Sequence, residues 1–269
     1  MTSLLPAPLS TIRAVLLDMD GVLWRGDQGL PGLGQLFAWL HTQSIPYALV
    51  TNNSGQHPEQ YVAKLARLSI HGVPAERILT SGAAAARYLQ THYPAGTRVH
   101  VVGMAGLRRL ITEAGFTLVD TDARVVVAGI DREWTYAKAL VAMRLLQAGA
   151  DFIGTNGDTT FPMPDGLAPG AGSILAMLSA SSGQTPLLMG KPQPAMFEAA
   201  LHVVEQPAAV TLMVGDRLDT DIAGAQALGL PTAMLLTGVS QREDVAQSAV
   251  PPDYIFDDLP ALLAAIQEA

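Results

Sequence analysis

The chain contains no cysteine, which removes disulfides, thiol nucleophiles and thiolate-bound zinc or iron-sulfur centres together. Its six histidines, at 41, 57, 71, 92, 100 and 202, show neither HxH nor HExxH spacing, so a histidine metal site has no support. Long apolar runs are missing too, none approaching the ~18 residues of a spanning helix. Met1 to Ser10 has no basic stretch before Leu4 and Leu5, so the start does not read as a secretory leader, and the expected location is the cytoplasm, away from membranes. Positive charge is scarce. Sixteen Lys and Arg face twenty-four Asp and Glu, a net charge of -8, the wrong sign for a nucleic-acid backbone or an anionic bilayer. Chemistry is left to carboxylates, hydroxyls, amides and lysine.

What is present is apolar bulk: 49% of 269 residues, enough for a sizeable core and, at ~150 residues per domain, close to two domains. Arg13 to Asp18 is a short apolar run ending in an acid, followed by a Gly/Pro-rich stretch to Gly34 that reads as a loop. Leu33, Leu36, Phe37 and Leu40 then recur at helical spacing. The unit repeats along the chain, with further strands predicted near residues 47–51, 78–80, 98–102, 125–128, 151–154, 187–189, 211–215, 232–236 and 254–256. Strands alternating with helices predict an α/β architecture with parallel sheets. Two polar clusters, Thr80-Ser81-Gly82 and Ser181 to Pro186, bracket about a hundred residues with strands and helices of their own. They suit the two strands of a hinge, although composition alone favours ordinary surface loops.

Four polar clusters fall at predicted strand ends, where the loops of an open parallel sheet gather function. In Asp18-Met19-Asp20-Gly21, two acids spaced i and i+2 on extended chain face one side and can divide labour as nucleophile and general acid and base. Burying such a pair at the end of an apolar strand is costly without a compensating cation or ligand. Thr51-Asn52-Asn53-Ser54-Gly55 offers hydroxyl and amide donors suited to phosphoryl oxygens, or equally a turn or helix cap. Lys191, in Gly190-Lys191-Pro192, would neutralise a phosphate and keep a carboxylate nucleophile ionised if aimed into an acidic cleft. Gly215-Asp216-Arg217-Leu218-Asp219-Thr220-Asp221 packs three acids after an apolar strand, a pattern suited to a hard divalent cation such as Mg²⁺ or to a capped helix start. Lookalikes fail. Gly183 and Gly190 enclose six residues and Pro192 stands where a P-loop needs Ser or Thr, while Gly170-Ala171-Gly172 follows Pro169 and reads as a tight helix start.

Taken in order, the four clusters resemble the four motifs of the haloacid dehalogenase superfamily, over the whole chain. Some 140 residues lie between Thr51 and Lys191, which resembles the type IIA branch of nitrophenyl-phosphatase, phosphoglycolate phosphatase, pyridoxal phosphatase and nucleotidase types. That resemblance implies a doubly wound, Rossmann-like core of residues 1–80 and 187–269 with an inserted α/β cap of residues 81–186, and it makes the two polar clusters hinge strands. It further implies a Mg²⁺-dependent phosphatase acting on a small phosphorylated metabolite. Asp18 would form an aspartyl-phosphate, with Asp20 as acid and base. The carboxylates of Asp18 and Asp216 and the carbonyl of Asp20 would hold the metal. Thr51, the Asn52 backbone and Lys191 would hold the phosphoryl oxygens, with Asp221 in support. In resembling phosphatases two cap positions lean over the leaving group, here Ile130 and Phe161, and Arg132 is a further contact for an anionic substrate. A phospho-receiver module would need neither Asp20 nor the insertion, and a non-catalytic binding protein would have no reason to keep all four clusters. A homo-oligomer is left open.

Overall fold

Apolar runs buried on both faces make the strands, as a parallel sheet covered by helices requires. The computed structural model describes residues 8–163 and 166–268; Leu4 and Leu5 lie outside them. From the N-terminus come β1 (Ala14–Leu17), a short hairpin of β2 (Trp24–Arg25) and β3 (Gln28–Gly29), α1 (Leu33–Thr42), β4 (Tyr47–Thr51), α2 (Pro58–Arg67) and β5 (Ile78–Thr80). Then follow α3 (Ser81–His92), β6 (Arg98–Val102), α4 (Ala105–Glu113), β7 (Thr117–Leu118), β8 (Val125–Ala128), α5 (Tyr136–Gln147) and β9 (Asp151–Gly154). A hairpin of β10 (Thr160–Met163) and β11 (Gly166–Pro169) leads to α6 (Ala171–Ser182) and β12 (Leu187–Leu188). The chain ends with α7 (Pro194–Val204), β13 (Thr211–Gly215), α8 (Ala223–Ala227), β14 (Thr232–Leu235), α9 (Arg242–Gln247), β15 (Tyr254–Phe256) and α10 (Leu259–Glu268).

Two compact units result. Residues 1–51, 62–79 and 191–269 form the first, residues 52–61 and 80–190 the second. The first is built on a six-stranded sheet ordered β15-β14-β13-β1-β4-β5. Its order reverses between β1 and β13, the doubly wound arrangement in which the strand ends at the reversal leave a crevice for ligands. These two strands pair in parallel from Ala14 opposite Thr211 to Leu17 opposite Val214, so the residues following each emerge side by side. Under the sheet, Met196, Phe197, Ala200 and Val204 of α7 pack against Ala14, Leu16, Ala48, Val50 and Met213. The second unit has a parallel five-stranded sheet, β12-β9-β8-β6-β7, with a reversal between β6 and β8. Its two faces bury separate clusters, one under α3 and α4 around Leu89, Leu107 and Ile111, the other under α5 and α6 around Leu146, Phe152 and Leu178. No helix among the described residues is long and apolar enough to cross a membrane.

The α/β expectation holds, with local differences. The Gly/Pro-rich stretch after Gly21, expected as a loop, contains the antiparallel β2–β3 pair, Trp24 opposite Gly29 and Arg25 opposite Gln28. Thr80-Ser81-Gly82 is no surface loop: all three residues are buried, and the Thr80 hydroxyl accepts from the Ala83 amide at 3.0 Å to cap α3 directly after β5. Strand end and helix start share one residue, leaving no loop between them.

Phe197 is fully buried, and a Cβ on Gly224 of α8 would stand 2.4 Å from its ring, so helix and ring meet without slack. Phe197→Ala is expected to lower the stability of the first unit by about 3–5 kcal/mol in urea unfolding. A loss under about 1 kcal/mol would show the α7 face to be loosely packed.

Candidate active site

The reversal in the six-stranded sheet puts Asp18, just past β1, beside Asp216, just past β13. The Asp18 amide donates to the Val214 carbonyl at 2.9 Å and extends the ladder by one bond. Lys191 enters from the segment before α7 and is 2% exposed. Its ammonium donates to Asp18 Oδ1 at 2.5 Å, to Asp221 Oδ1 at 2.6 Å and to the Val50 carbonyl of β4 at 3.1 Å. A lysine has three N–H donors, enough to serve these three acceptors. Asp221 arrives on a π-helical turn, Leu218–Ile222, and its Oδ2 accepts from the backbone amides of Asp216 (3.2 Å) and Arg217 (3.1 Å).

Glycine makes the room. A Cβ on Gly215 would lie 2.3 Å from that of Asp221, and one on Gly238 only 1.8 Å from Asp216 Oδ2. Gly21, at φ +91°, would bring a Cβ within 2.5 Å of the same oxygen. Asp216 Oδ2 also accepts from the Val239 amide at 2.7 Å. The loop Thr237 to Ser240 thus fixes Asp216, a role missed in the sequence, where its signal was a fifth Gly-containing polar cluster after a strand.

Burial and mutual repulsion set the charges. Asp18, Asp216 and Asp221 each place one carboxylate oxygen within 4.8 Å of the others, and among the described residues this is the one such group of three. Burial pushes the Asp18 carboxyl well above the usual carboxylate range, with Lys191 opposing and Asp221 and Asp216 adding to the rise. Burial and then Asp221 push Asp216 up to about 7. Lys191 is raised, because Asp18 and Asp221 outweigh the burial that disfavours its charge. Three buried acids face one ammonium, so ionising all of them would leave negative charge uncompensated, and an all-oxygen donor set of this kind fits a hard cation such as Mg²⁺. Asp221 already spends both oxygens on Lys191 and backbone amides, so its geometry suits an orienting role.

Asp20 Oδ1 accepts from the Trp24 indole Nε1 at 2.9 Å. Burial raises the Asp20 carboxyl, opposed by Lys64, the indole bond and Lys191. Thr51 is the buried last residue of β4. Asn52 is tied into the second unit: its side-chain amide donates to Asp158 at 3.0 Å, and its carbonyl accepts from Ser81 Oγ at 2.5 Å and Asn156 Nδ2 at 2.7 Å. Asn53 turns the chain, accepting from the Gly55 amide at 2.8 Å. In the same unit the Arg132 guanidinium stands 5.2 Å from the centroid of the half-buried Phe161 ring. Ile130, also half-buried, packs near Gly55 just past β8. The structure thus groups Asp18, Asp216, Asp221 and Lys191, and separately Arg132 with Phe161.

Residues 15–117 match the haloacid dehalogenase-like hydrolase family, and residues 188–262 match HAD-hydrolase-like proteins. An acid sugar phosphatase of Staphylococcus aureus is 38% identical over 257 residues, covering 95% of this chain and 98% of that protein. A solved 4-nitrophenylphosphatase from Thermotoga maritima is 32% identical with a TM-score of 0.91, covering 96% of this chain and 99% of its own. A glycerol phosphate phosphatase from Mycobacterium tuberculosis, solved in complex with magnesium, is 32% identical with a TM-score of 0.87, over 96% of this chain and 78% of its own. The chain belongs to the haloacid dehalogenase-like hydrolases, in the type IIA branch.

The raised carboxyls have a measurable consequence. With its carboxyl pushed up to about 7, the folded chain holds on Asp216 a proton that the unfolded chain releases near an ordinary aspartate value of about 4. Without a cation, stability therefore falls as pH rises between these values. A cation that replaces the proton reverses this, so Mg²⁺ should raise Tm more at about pH 8 than at about pH 5 in thermal scans. Equal shifts at both pH values would contradict the assignment of these acids to a cation.

Proposed function

We propose that the chain is a Mg²⁺-dependent phosphatase that hydrolyses small phosphate monoesters through an aspartyl-phosphate on Asp18. The observation that carries this reading is the Lys191 ammonium bonded to Asp18 and Asp221 at 2.5 and 2.6 Å, beside Asp216. An ammonium so placed favours the ionised form of Asp18, the form that can attack. The carboxylates of Asp18 and Asp216 and the carbonyl of Asp20 would hold Mg²⁺, which would supply charge neutralisation for the phosphoryl oxygens.

In the first half-reaction an Asp18 oxygen attacks phosphorus, the bond to the leaving oxygen breaks, and that oxygen takes the proton of the Asp20 carboxyl. Water then attacks the phospho-Asp18 phosphorus and passes a proton to the Asp20 carboxylate, which frees phosphate and restores both acids. The raised Asp20 carboxyl suits a group that must arrive protonated. Thr51, the Asn52 backbone and Lys191 hold the phosphoryl oxygens, and Asp221 holds Lys191. Residues 81–186 serve as the cap, a reading supported by the separate sheet and cores of the second unit. Ile130, Arg132 and Phe161 are assigned to leaving-group choice; two apolar side chains favour tolerance over discrimination. The sugar, nitrophenyl and glycerol phosphates in the relatives' names support a small-ester substrate class. A phospho-receiver reading gives no role to Asp20 or to an insertion of this size.

Asp18→Asn should lower phosphate release from 4-nitrophenyl phosphate by at least about a thousand-fold while leaving the unfolding transition in place. The wild-type chain should stop turning over in EDTA and recover with Mg²⁺. Near wild-type turnover in the variant, or an undiminished rate in EDTA, would overturn the mechanism.

A further inference from the structure

Trp24 lies four residues beyond Asp20, and the chain folds back sharply to bring the two together. The Met19 carbonyl accepts from the amides of Leu23 at 2.8 Å and Trp24 at 3.3 Å, and the Gly21 amide donates to the Trp24 carbonyl at 2.8 Å. Past this turn the β2–β3 hairpin is fastened on two sides. Arg25 donates to the Thr237 carbonyl at 2.6 Å, and the Thr237 hydroxyl donates to the Gly21 carbonyl at 2.6 Å. On the other side Lys64 donates to the Gly26 carbonyl at 2.7 Å while its ammonium stands 4.2 Å from the Trp24 ring centroid. The indole is fully buried, so its direction is fixed by its surroundings.

A buried tryptophan generally satisfies its N–H with whatever acceptor is near. Here the acceptor is one particular carboxylate oxygen, Oδ1 of Asp20, at 2.9 Å. A carboxyl group whose Oδ1 receives a strong donor carries its proton on the other oxygen. We propose that Trp24 is a positioning residue for proton transfer: its N–H holds Oδ1 of Asp20 and dedicates Oδ2 to the leaving oxygen, an inference that rests on the role of Asp20 proposed above. As the bond from phosphorus to the leaving oxygen breaks, the proton moves from Oδ2 to that oxygen. The negative charge left on Asp20 is then shared with an Oδ1 that already has its donor in place, so little reorganisation accompanies the transfer.

The role separates from simple core packing through the leaving group. An alkoxide is a strong base that must be protonated to depart, whereas 4-nitrophenolate departs with little help. The ratio of kcat/KM for glycerol 3-phosphate to that for 4-nitrophenyl phosphate therefore reads proton delivery, because both esters share the phosphoryl half of the site. The measurement uses the full chain with Mg²⁺, carrying either Trp24→Phe or 3-benzothienylalanine at position 24, which keeps the bicyclic shape and lacks the N–H. Both should lose about ten-fold or more on the alkyl ester and under about three-fold on the aryl ester. Equal losses on both esters, or none, in the benzothienyl variant would overturn the proposal. Asp20→Asn is measured alongside. If it shows the leaving-group bias and the position 24 variants do not, the assignment to Trp24 falls alone; if it shows no bias, the proton-donor role of Asp20 falls and takes this inference with it.

Discussion

The ammonium of Lys191 is the interaction around which the site is built. It is buried, it has three N–H donors, and it donates to acceptors from three parts of the first unit: Asp18 after β1, Val50 in β4 and Asp221 in the turn before α8. A buried charge that loses a partner costs about 3–5 kcal/mol, so each contact constrains the others. Asp221 faces the lysine with one oxygen and the amides of Asp216 and Arg217 with the other. Through it the position of Lys191 is coupled to the backbone that carries Asp216. Asp18 thus meets the lysine ammonium at the point where the strand order reverses, and that contact opposes the rise that burial imposes on its carboxyl.

Space is the second constraint. Gly21, Gly215 and Gly238 come so close to Asp216 or Asp221 that no side chain fits at any of them. The carboxylates are held by backbone on several sides, which restricts the arrangements open to them and concentrates their negative charge. That concentration explains why burial and neighbouring acids push Asp18 and Asp216 upward. It also explains why an all-oxygen cluster of this kind calls for a divalent cation.

Much of this was legible in the chain. Runs such as Ala14 to Leu17 and Leu212 to Val214 are apolar throughout because both faces of their strands are covered, and they lead to Asp18 directly and to Asp216 after Gly215, at the strand ends where ligands bind. Less legible were features set by tertiary contact. Asn52 to Tyr61 follows a strand of the first unit yet groups with the second, where Asn52 meets Asp158, Asn156 and Ser81. Those partners lie far along the chain from Asn52, beyond the reach of local pattern. Thr80 and Ser81 have the composition of a loop, but one closes β5 and caps α3 while the other bonds the Asn52 carbonyl. Trp24 hides for another reason: an aromatic residue in a Gly-rich stretch carries no sign of which acceptor its N–H will find.

The proposed reaction has Asp18 carry the phosphoryl group between two half-reactions. It is tested most directly by rapid acid quench of the Mg²⁺-loaded enzyme during turnover of 4-nitrophenyl phosphate, followed by peptide mass spectrometry. A peptide heavier by one phosphoryl group, with the modification on Asp18, is expected to form as fast as the first nitrophenolate is released. Phosphate found on another residue, or a burst of nitrophenolate with Asp18 unmodified, would contradict it.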